Sequence, residues 1–320
     1  MSAVRPEFEP IRRRFELMPY IRLVRLPNVF TAVADVLMGY LFTHEVAALE
    51  RNHWIELGLL IGASALLYMA GMVLNDYFDR EIDAVERPGR PIPARHVEVS
   101  DAARLGWGLL GAGVALGGAV AGMTHNPRPA IVAALLAGAV VLYDRILKRL
   151  PIGPLGMGLC RFLNVLLGMS LYDGSWQLVH WHVAAGIGIY IVGVTWLART
   201  EAVDSSRPQL AGALLVMLGG IATLGTLDRS ITGREWPPFN LPDNWQMFWL
   251  AIGVLIGWRA LRAVADPSPR TVQTAVKNCI LGLIVLDAAV CRAVQEPTWC
   301  FVILALLAPT LLLGMWVEST

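Results

Sequence analysis

The sequence predicts an all-α fold: a polytopic membrane bundle of nine or ten transmembrane helices around a central cavity. Three observations predict it. The 320 residues are 56% hydrophobic and only 16% charged, against about 25% charged in an ordinary soluble domain. Apolar runs near the ~20 residues that cross a bilayer recur from one end to the other. Lysine and arginine fall unequally on alternate connections, the positive-inside pattern. The net charge of +1 identifies no partner, and no nucleic-acid role is expected. Cys160, Cys279, Cys291 and Cys300 show no CxxC or zinc spacing, so they read as small buried hydrophobes. His180 and His182 lie beside Trp176 and Trp181 and read as interfacial residues.

The elements follow in order. Residues 1–19 are rich in charge and lack an apolar core, so they read as a cytoplasmic arm rather than a signal peptide. Residues 20–320 read as one transmembrane domain. The first span, Tyr20 to Phe42, carries Arg22, Arg25, Asn28, Thr31 and Asp35. Polar groups at membrane depth are costly and tend to face a cavity. The second span runs from Trp54 to Leu74, the third from Ala102 to Met123 and the fourth from Ala130 to Tyr143. The fifth is Pro154 to Leu171, with Arg161 and Asn164 inside it. The sixth is His182 to Ala198 and the seventh Leu210 to Leu227. Met247 to Leu261, Val272 to Ala289 and Phe301 to Met315 close the chain. The first of these three is short, which leaves nine or ten spans open.

Charge placement fixes the sidedness of this map. With the N-terminus inside, nineteen lysines and arginines fall on the cytoplasmic face and five on the other. The expected location is a bacterial cell membrane. The bias puts three polar connections on one side: 75–95, 143–149 and 199–207. Their motifs can then build one site at the mouth of the bundle.

The most informative stretch is Asn75-Asp76-Tyr77-Phe78-Asp79-Arg80-Glu81-Ile82-Asp83, followed by Arg87-Pro88-Gly89-Arg90-Pro91. Asn75, Asp79 and Asp83 are spaced four apart, which on a helix places them on one face, with Asp76 close by. Carboxylates that close repel unless a cation sits among them. Oxygen-only ligands suit a hard cation such as Mg²⁺, which keeps open positions for phosphate oxygens. Arg87 and Arg90 follow on a proline-stiffened loop, and arginine binds phosphate in a bidentate way. Lys148 could contact a phosphate, and Tyr143 could offer its ring or hydroxyl. An apolar bundle below such a site suits an amphiphile with a diphosphate head. Asp35 and Asp287 lie within spans and read as paired structural charges whose partners the sequence does not name.

These residues closely resemble a known family. Asn75-Asp76-x-x-Asp79-x-x-x-Asp83 with Arg87-Pro88-x-Arg90-Pro91 is similar to the first aspartate-rich motif of the UbiA-type intramembrane prenyltransferases. Tyr143 to Arg149 resembles their tyrosine–lysine connection, Gly158 to Gly168 their fifth-helix pattern, and Arg25-Leu26-Pro27-Asn28 through Gly39 their first-helix entry. The resemblance covers roughly residues 20–210. It implies a helical bundle, usually of nine spans, with a cavity open to lipid. It also implies a Mg²⁺-dependent enzyme that moves an isoprenyl group from an allylic isoprenyl diphosphate to a lipophilic, typically aromatic, acceptor. Carried over, Asn75, Asp79 and Asp83 would hold Mg²⁺, with Asp76 as a helper. Arg87 or Arg90, with Lys148, would hold the diphosphate. Asn28, Tyr143, Arg161 and Asn164 would line the cavity.

The chain departs from that pattern after the sixth span. Where a second aspartate pair spaced four apart is usual, this sequence has Glu201 and Asp204, spaced three, beside Arg199. At that spacing they can still share a helix face and hold a second Mg²⁺, or Arg199 can neutralise one of them. Thr195 to Glu201 and Ala275-Val276-Lys277 through Asp287 resemble the EboC-like branch more than the quinone enzymes. The competing reading is a catalytically silent isoprenyl-diphosphate or lipid binder, or transporter, with the same fold.

Overall fold

Pro27 divides the first predicted span. A proline is tolerated in the first turn of a helix and disfavours helical geometry in the residue before it. In the computed structural model, which describes residues 17–199, 205–227 and 243–317, α1 (Leu17–Leu23) stops short and α2 (Leu26–Thr43) begins afresh. Between them Arg25 adopts the left-handed conformation, φ 48°. The bend turns the Arg25 side chain toward the next helix.

That helix, α3 (Arg51–Glu86), has 36 residues. At 1.5 Å per residue it is about 54 Å long, well beyond the ~30 Å of a hydrocarbon core. The aspartate-rich stretch therefore continues the second span as helix past the apolar layer. Arg87 caps it by donating its backbone N–H to the Asp83 carbonyl at 2.8 Å, and Pro88 follows. The connection then folds back on itself: Ala94 N–H bonds to the Arg90 carbonyl and Val97 N–H to that of Pro91. Its Ile92 and Val97 are buried with Leu23, Val73 and Ala102 in a small satellite core. This apolar knot holds the loop, and Arg90 with it, against α1 and α3.

The remaining helices are α4 (Val99–Thr124), α5 (Arg128–Arg145), α6 (Gly153–Gly168), α7 (Leu178–Ala198), α8 (Arg207–Gly225), α9 (Trp245–Ala265), α10 (Pro269–Cys291), α11 (Pro297–Ala305) and α12 (Leu307–Trp316). No strand occurs among the described residues. Each helix from α2 to α10 packs on its neighbour in the chain, and α10 returns to α2, which closes the bundle. Among the described residues nine segments are long and apolar enough to cross a membrane, with α11 and α12 counted together. The sequence allowed nine or ten, with Met247 to Leu261 the short one. That stretch lies in the 21-residue α9, which is counted. The helix left out is α5, which packs between α4 and α6 but carries Arg128, Asp144 and Arg145. The last predicted span is interrupted at Leu306, three residues before Pro309.

The fold is that of an integral, multi-pass membrane protein. Its inner helices are α2, α6 and α10, whose apolar windows are 78%, 72% and 67% buried, whereas that of α4 is 22% buried. Outward faces carry Leu215, Leu250, Leu255 and Phe301 in the open, as lipid contact requires. At the centre, α2 and α6 touch through backbone. A Cβ on Gly39 would lie 2.5 Å from the Val165 carbonyl oxygen, and one on Gly168 would collide with the Val36 carbonyl. Only glycine allows this approach.

Candidate active site

The acidic stretch and the connection after α5 meet at one end of the bundle. From α3 come Asn75, Asp76, Asp79 and Asp83. Tyr143 and Asp144 lie at the end of α5, and Lys148 on the 3-10 turn Leu147–Arg149. Lys148 Nζ lies 2.7 Å from Asp79 Oδ2 and 3.4 Å from the Asn75 carbonyl oxygen. Asn75 Nδ2 donates to Asp144 Oδ1 at 3.1 Å. Arg149 approaches Asp79 at 4.0 Å and donates to the Phe78 carbonyl.

Asp76 and Asp83 form a second group. Arg90 Nη1 lies 2.6 Å from Asp83 Oδ2 and 3.1 Å from Asp76 Oδ1. Arg25 reaches the same Asp76 oxygen at 3.4 Å. Arg90, Asp76 and Asp83 are all buried. Helix geometry explains the division. Residues seven apart fall within about 20° of each other around the axis, whereas residues eight apart diverge by about 80°. Asn75 and Asp79 thus face α5, and Asp83 faces the loop together with Asp76. Arg87, the other arginine of the motif, is exposed.

Below this end lies a cavity lined by Leu67, Tyr68, Met72, Leu136, Val140, Tyr143, Asp144, Met157, Arg161 and Asn164, among others. Its far wall is polar. Arg161 donates to Asp35 Oδ2 at 2.9 Å and to Thr31 Oγ1 at 2.8 Å. Asn164 Nδ2 donates to Asp35 Oδ2 and to the Ala32 carbonyl, each at 2.9 Å, and its Oδ1 accepts from Ser64 at 2.7 Å. The intramembrane Asp35 thus has named partners, and Asp287 lies against it. The Arg161 guanidinium also stacks over Tyr68, 5.3 Å from the ring centroid. Asn28 meets the Tyr68 side chain, so it borders the cavity through that ring.

The third polar connection reaches the same end. Arg199, at the end of α7, donates to the Leu150 and Pro151 carbonyls at 2.8 Å each. Its guanidinium is spent on backbone there. Glu201 and Asp204 lie outside the described residues.

Residues 36–207, more than half of the chain, match the UbiA prenyltransferase family. The chain belongs to that family. Among similar proteins is the digeranylgeranylglyceryl phosphate synthase of Metallosphaera sedula, 33% identical over 165 residues, which are 51% of this chain and 55% of that protein. The synthase of Ignicoccus hospitalis is 34% identical over 163 residues, 50% of this chain and 49% of its own length. The chain thus spans about half the length of the curated relatives it matches. Solved structures share the fold over nearly their whole length. One, reported as digeranylgeranylglyceryl phosphate synthase in membranes, has a TM-score of 0.60 at 19% identity and covers 87% of this chain and 98% of its own. A UbiA homologue from Archaeoglobus fulgidus bound to DMAPP and Mg²⁺ has a TM-score of 0.58 at 13% identity, over 90% and 99% of the two chains.

Within this UbiA-family chain, sequence reasoning did not single out Arg25 as an ion-pair partner of Asp76, nor Asp144. Arg25 becomes visible only once Pro27 is read as a helix start. Asp144 stands directly after Tyr143 in the stretch already of interest, but its burial against Asn75 depends on a contact 69 residues away in sequence.

Proposed function

We propose that the protein is an intramembrane prenyltransferase that moves an isoprenyl group from an allylic isoprenyl diphosphate to a lipophilic acceptor, with Mg²⁺. The observation that carries this reading is the convergence of Asn75, Asp79 and Lys148 at one end of the bundle, joined by the Asn75–Asp144 hydrogen bond to a largely apolar cavity that Asp144 lines. The donor's head belongs at the mouth and its hydrocarbon tail below. The residues suit a Mg²⁺ ion by donor type, with no ready-made cluster of three acidic ligands among the described residues: the donors are oxygens, and one buried carboxylate oxygen, Asp144 Oδ2, has no partner. Asn75 and Asp79 would hold the ion. Asp83, and Asp76 as helper, join them if Arg90 turns from these carboxylates to the diphosphate; Arg87 is free to approach from solution. When bound, Mg²⁺ supplies Lewis-acid stabilisation of the negative charge that builds on the departing diphosphate.

The chain's own groups do the rest. Lys148 exchanges its bond to Asp79 for one to a diphosphate oxygen and stabilises the leaving group as the allylic C–O bond breaks. Tyr143 presents its ring at the mouth, where an allylic cation would form. Leu67, Met72, Leu136, Val140 and Met157 keep water from that cation. Arg161 and Asn164, fixed by Asp35, Thr31 and Ser64, offer hydrogen bonds to the polar part of an acceptor. An aromatic acceptor follows from the sequence reading. The names of the relatives point to a glyceryl phosphate lipid, so both enter the first trials, and both reach the cavity from the membrane. Glu201 and Asp204 would supply a second Mg²⁺ site.

The test is release of diphosphate from geranyl and farnesyl diphosphate by purified protein with Mg²⁺. Wild type releases it and Asp79→Ala reduces the rate by at least about a hundredfold, the scale of a lost charge-stabilising group. Glu201→Gln reports whether the second motif takes part. One observation favours a silent binder instead: Lys148, Arg25 and Arg90 already neutralise Asp79, Asp76 and Asp83 within the protein. Mg²⁺-dependent binding without turnover across the acceptor panel would establish that alternative.

A further inference from the structure

We infer that Asp144 is a ligand of the divalent cation, together with Asn75 and Asp79. The inference deepens the prenyltransferase reading and rests on it. Asp144 is 2% exposed, yet it lines the cavity. Its Oδ1 is held by Asn75 Nδ2 at 3.1 Å, and its Oδ2 is buried with no hydrogen-bond partner. A buried carboxylate oxygen left without a partner costs free energy unless a ligand satisfies it.

Charge indicates which ligand. Asp76 and Asp83 are answered by Arg90 and Arg25. Asp79 is answered by Lys148 at 2.7 Å. Asp144 has an amide for a partner and no cation in ion-pair contact. Asp79 and Asp144 thus flank Asn75 with two carboxylates against one ammonium. In its ionised form Asp144 is an uncompensated negative charge beside two oxygen-bearing side chains of the proposed metal set. An acceptor hydroxyl would satisfy the hydrogen bond and leave that charge in place. A hard divalent cation satisfies both, and carboxylate and amide oxygens are the donors it prefers. Lys148 is then free to turn to the diphosphate, because the ion takes over Asp79.

The experiment reads metal binding, not turnover. Mn²⁺ is titrated into the purified full-length protein in detergent, with inorganic pyrophosphate, and free Mn²⁺ is followed by electron paramagnetic resonance. Wild type, Asp79→Ala, Asp144→Asn and Asp144→Ala are compared, each first shown to melt cooperatively. Asp144→Asn keeps the shape and can still accept from Asn75, so it removes only the charge and the unpartnered oxygen. The assignment expects Mn²⁺ to bind at least about tenfold more weakly to both Asp144 variants, the least that loss of a metal-supporting group causes. If Asp79→Ala loses the ion while both Asp144 variants bind as wild type does, Asp144 is no ligand, and the reading of Asn75 and Asp79 survives. If wild type itself binds no Mn²⁺, the metal reading fails and this assignment fails with it.

Discussion

Arg90 sits between two buried carboxylates, and its surroundings make its removal costly. Its Nη1 serves Asp83 at 2.6 Å and Asp76 at 3.1 Å, and all three side chains are at most 7% exposed. Taking away one partner of a buried ion pair leaves charge without compensation, at a cost of about 3–5 kcal/mol. The proximity of the aqueous end and the second cation, Arg25, place Arg90→Ala near the lower figure, about 3 kcal/mol. The expected result is a clear fall in the melting temperature of the purified protein. Asp83→Asn added to Arg90→Ala should recover part of it, because the unpaired charge goes with the cation. A pair that contributed nothing would leave both variants melting as wild type does. Arg87→Ala is the control: its side chain is exposed, and only its backbone caps α3.

At the scale of the helix, α2 and α6 are the elements whose register determines the cavity wall. Asp35 on α2 meets Arg161 and Asn164 on α6, and the approach depends on Gly39 and Gly168. A side chain on Gly168 collides with the Val36 backbone, which cannot rotate away as a side-chain tip can. Gly168→Ala should therefore cost about 1–3 kcal/mol through overpacking and push Asn164 from Asp35. The check is a lower melting temperature, whereas Gly118→Ala on α4, where an added Cβ meets nothing within 4 Å, should be silent. Helix existence was legible in the sequence because apolar runs of membrane length leave few alternatives. The interruptions at Arg25 and Leu306 were less legible. Hydropathy averages across a proline: Pro309 stands inside an apolar run and Pro27 inside the first predicted span. The Asn75–Asp79 pair was legible because it is local to one helix. Arg161 to Asp35 and Lys148 to Asp79 are long-range contacts, and spacing alone could not name them.

Across the protein, charge placement and side-chain contacts join the same connections independently of each other. Lysine and arginine counts grouped the connections 75–95, 143–149 and 199–207 on one side. Side-chain contacts join the same stretches: Lys148 to Asp79, Asn75 to Asp144, and Arg199 to the backbone after Arg149. Which side of the membrane they face is a separate matter, and the positive-inside rule proposes the cytoplasm. The native cysteines Cys160, Cys279, Cys291 and Cys300 are all buried and free, so replacing them gives a background for single-cysteine labelling. Arg87 lies on the acidic end and is exposed; His125 lies in the connection between α4 and α5 at the other end. In sealed right-side-out vesicles an impermeant maleimide should label His125→Cys and leave Arg87→Cys unlabelled until the membrane is opened. The reverse pattern would place the site on the outer face, where the supply of an isoprenyl diphosphate would need its own transport. Labelling of both in intact vesicles would separate the two ends from the two faces of the membrane and overturn the spanning arrangement of α3 and α4.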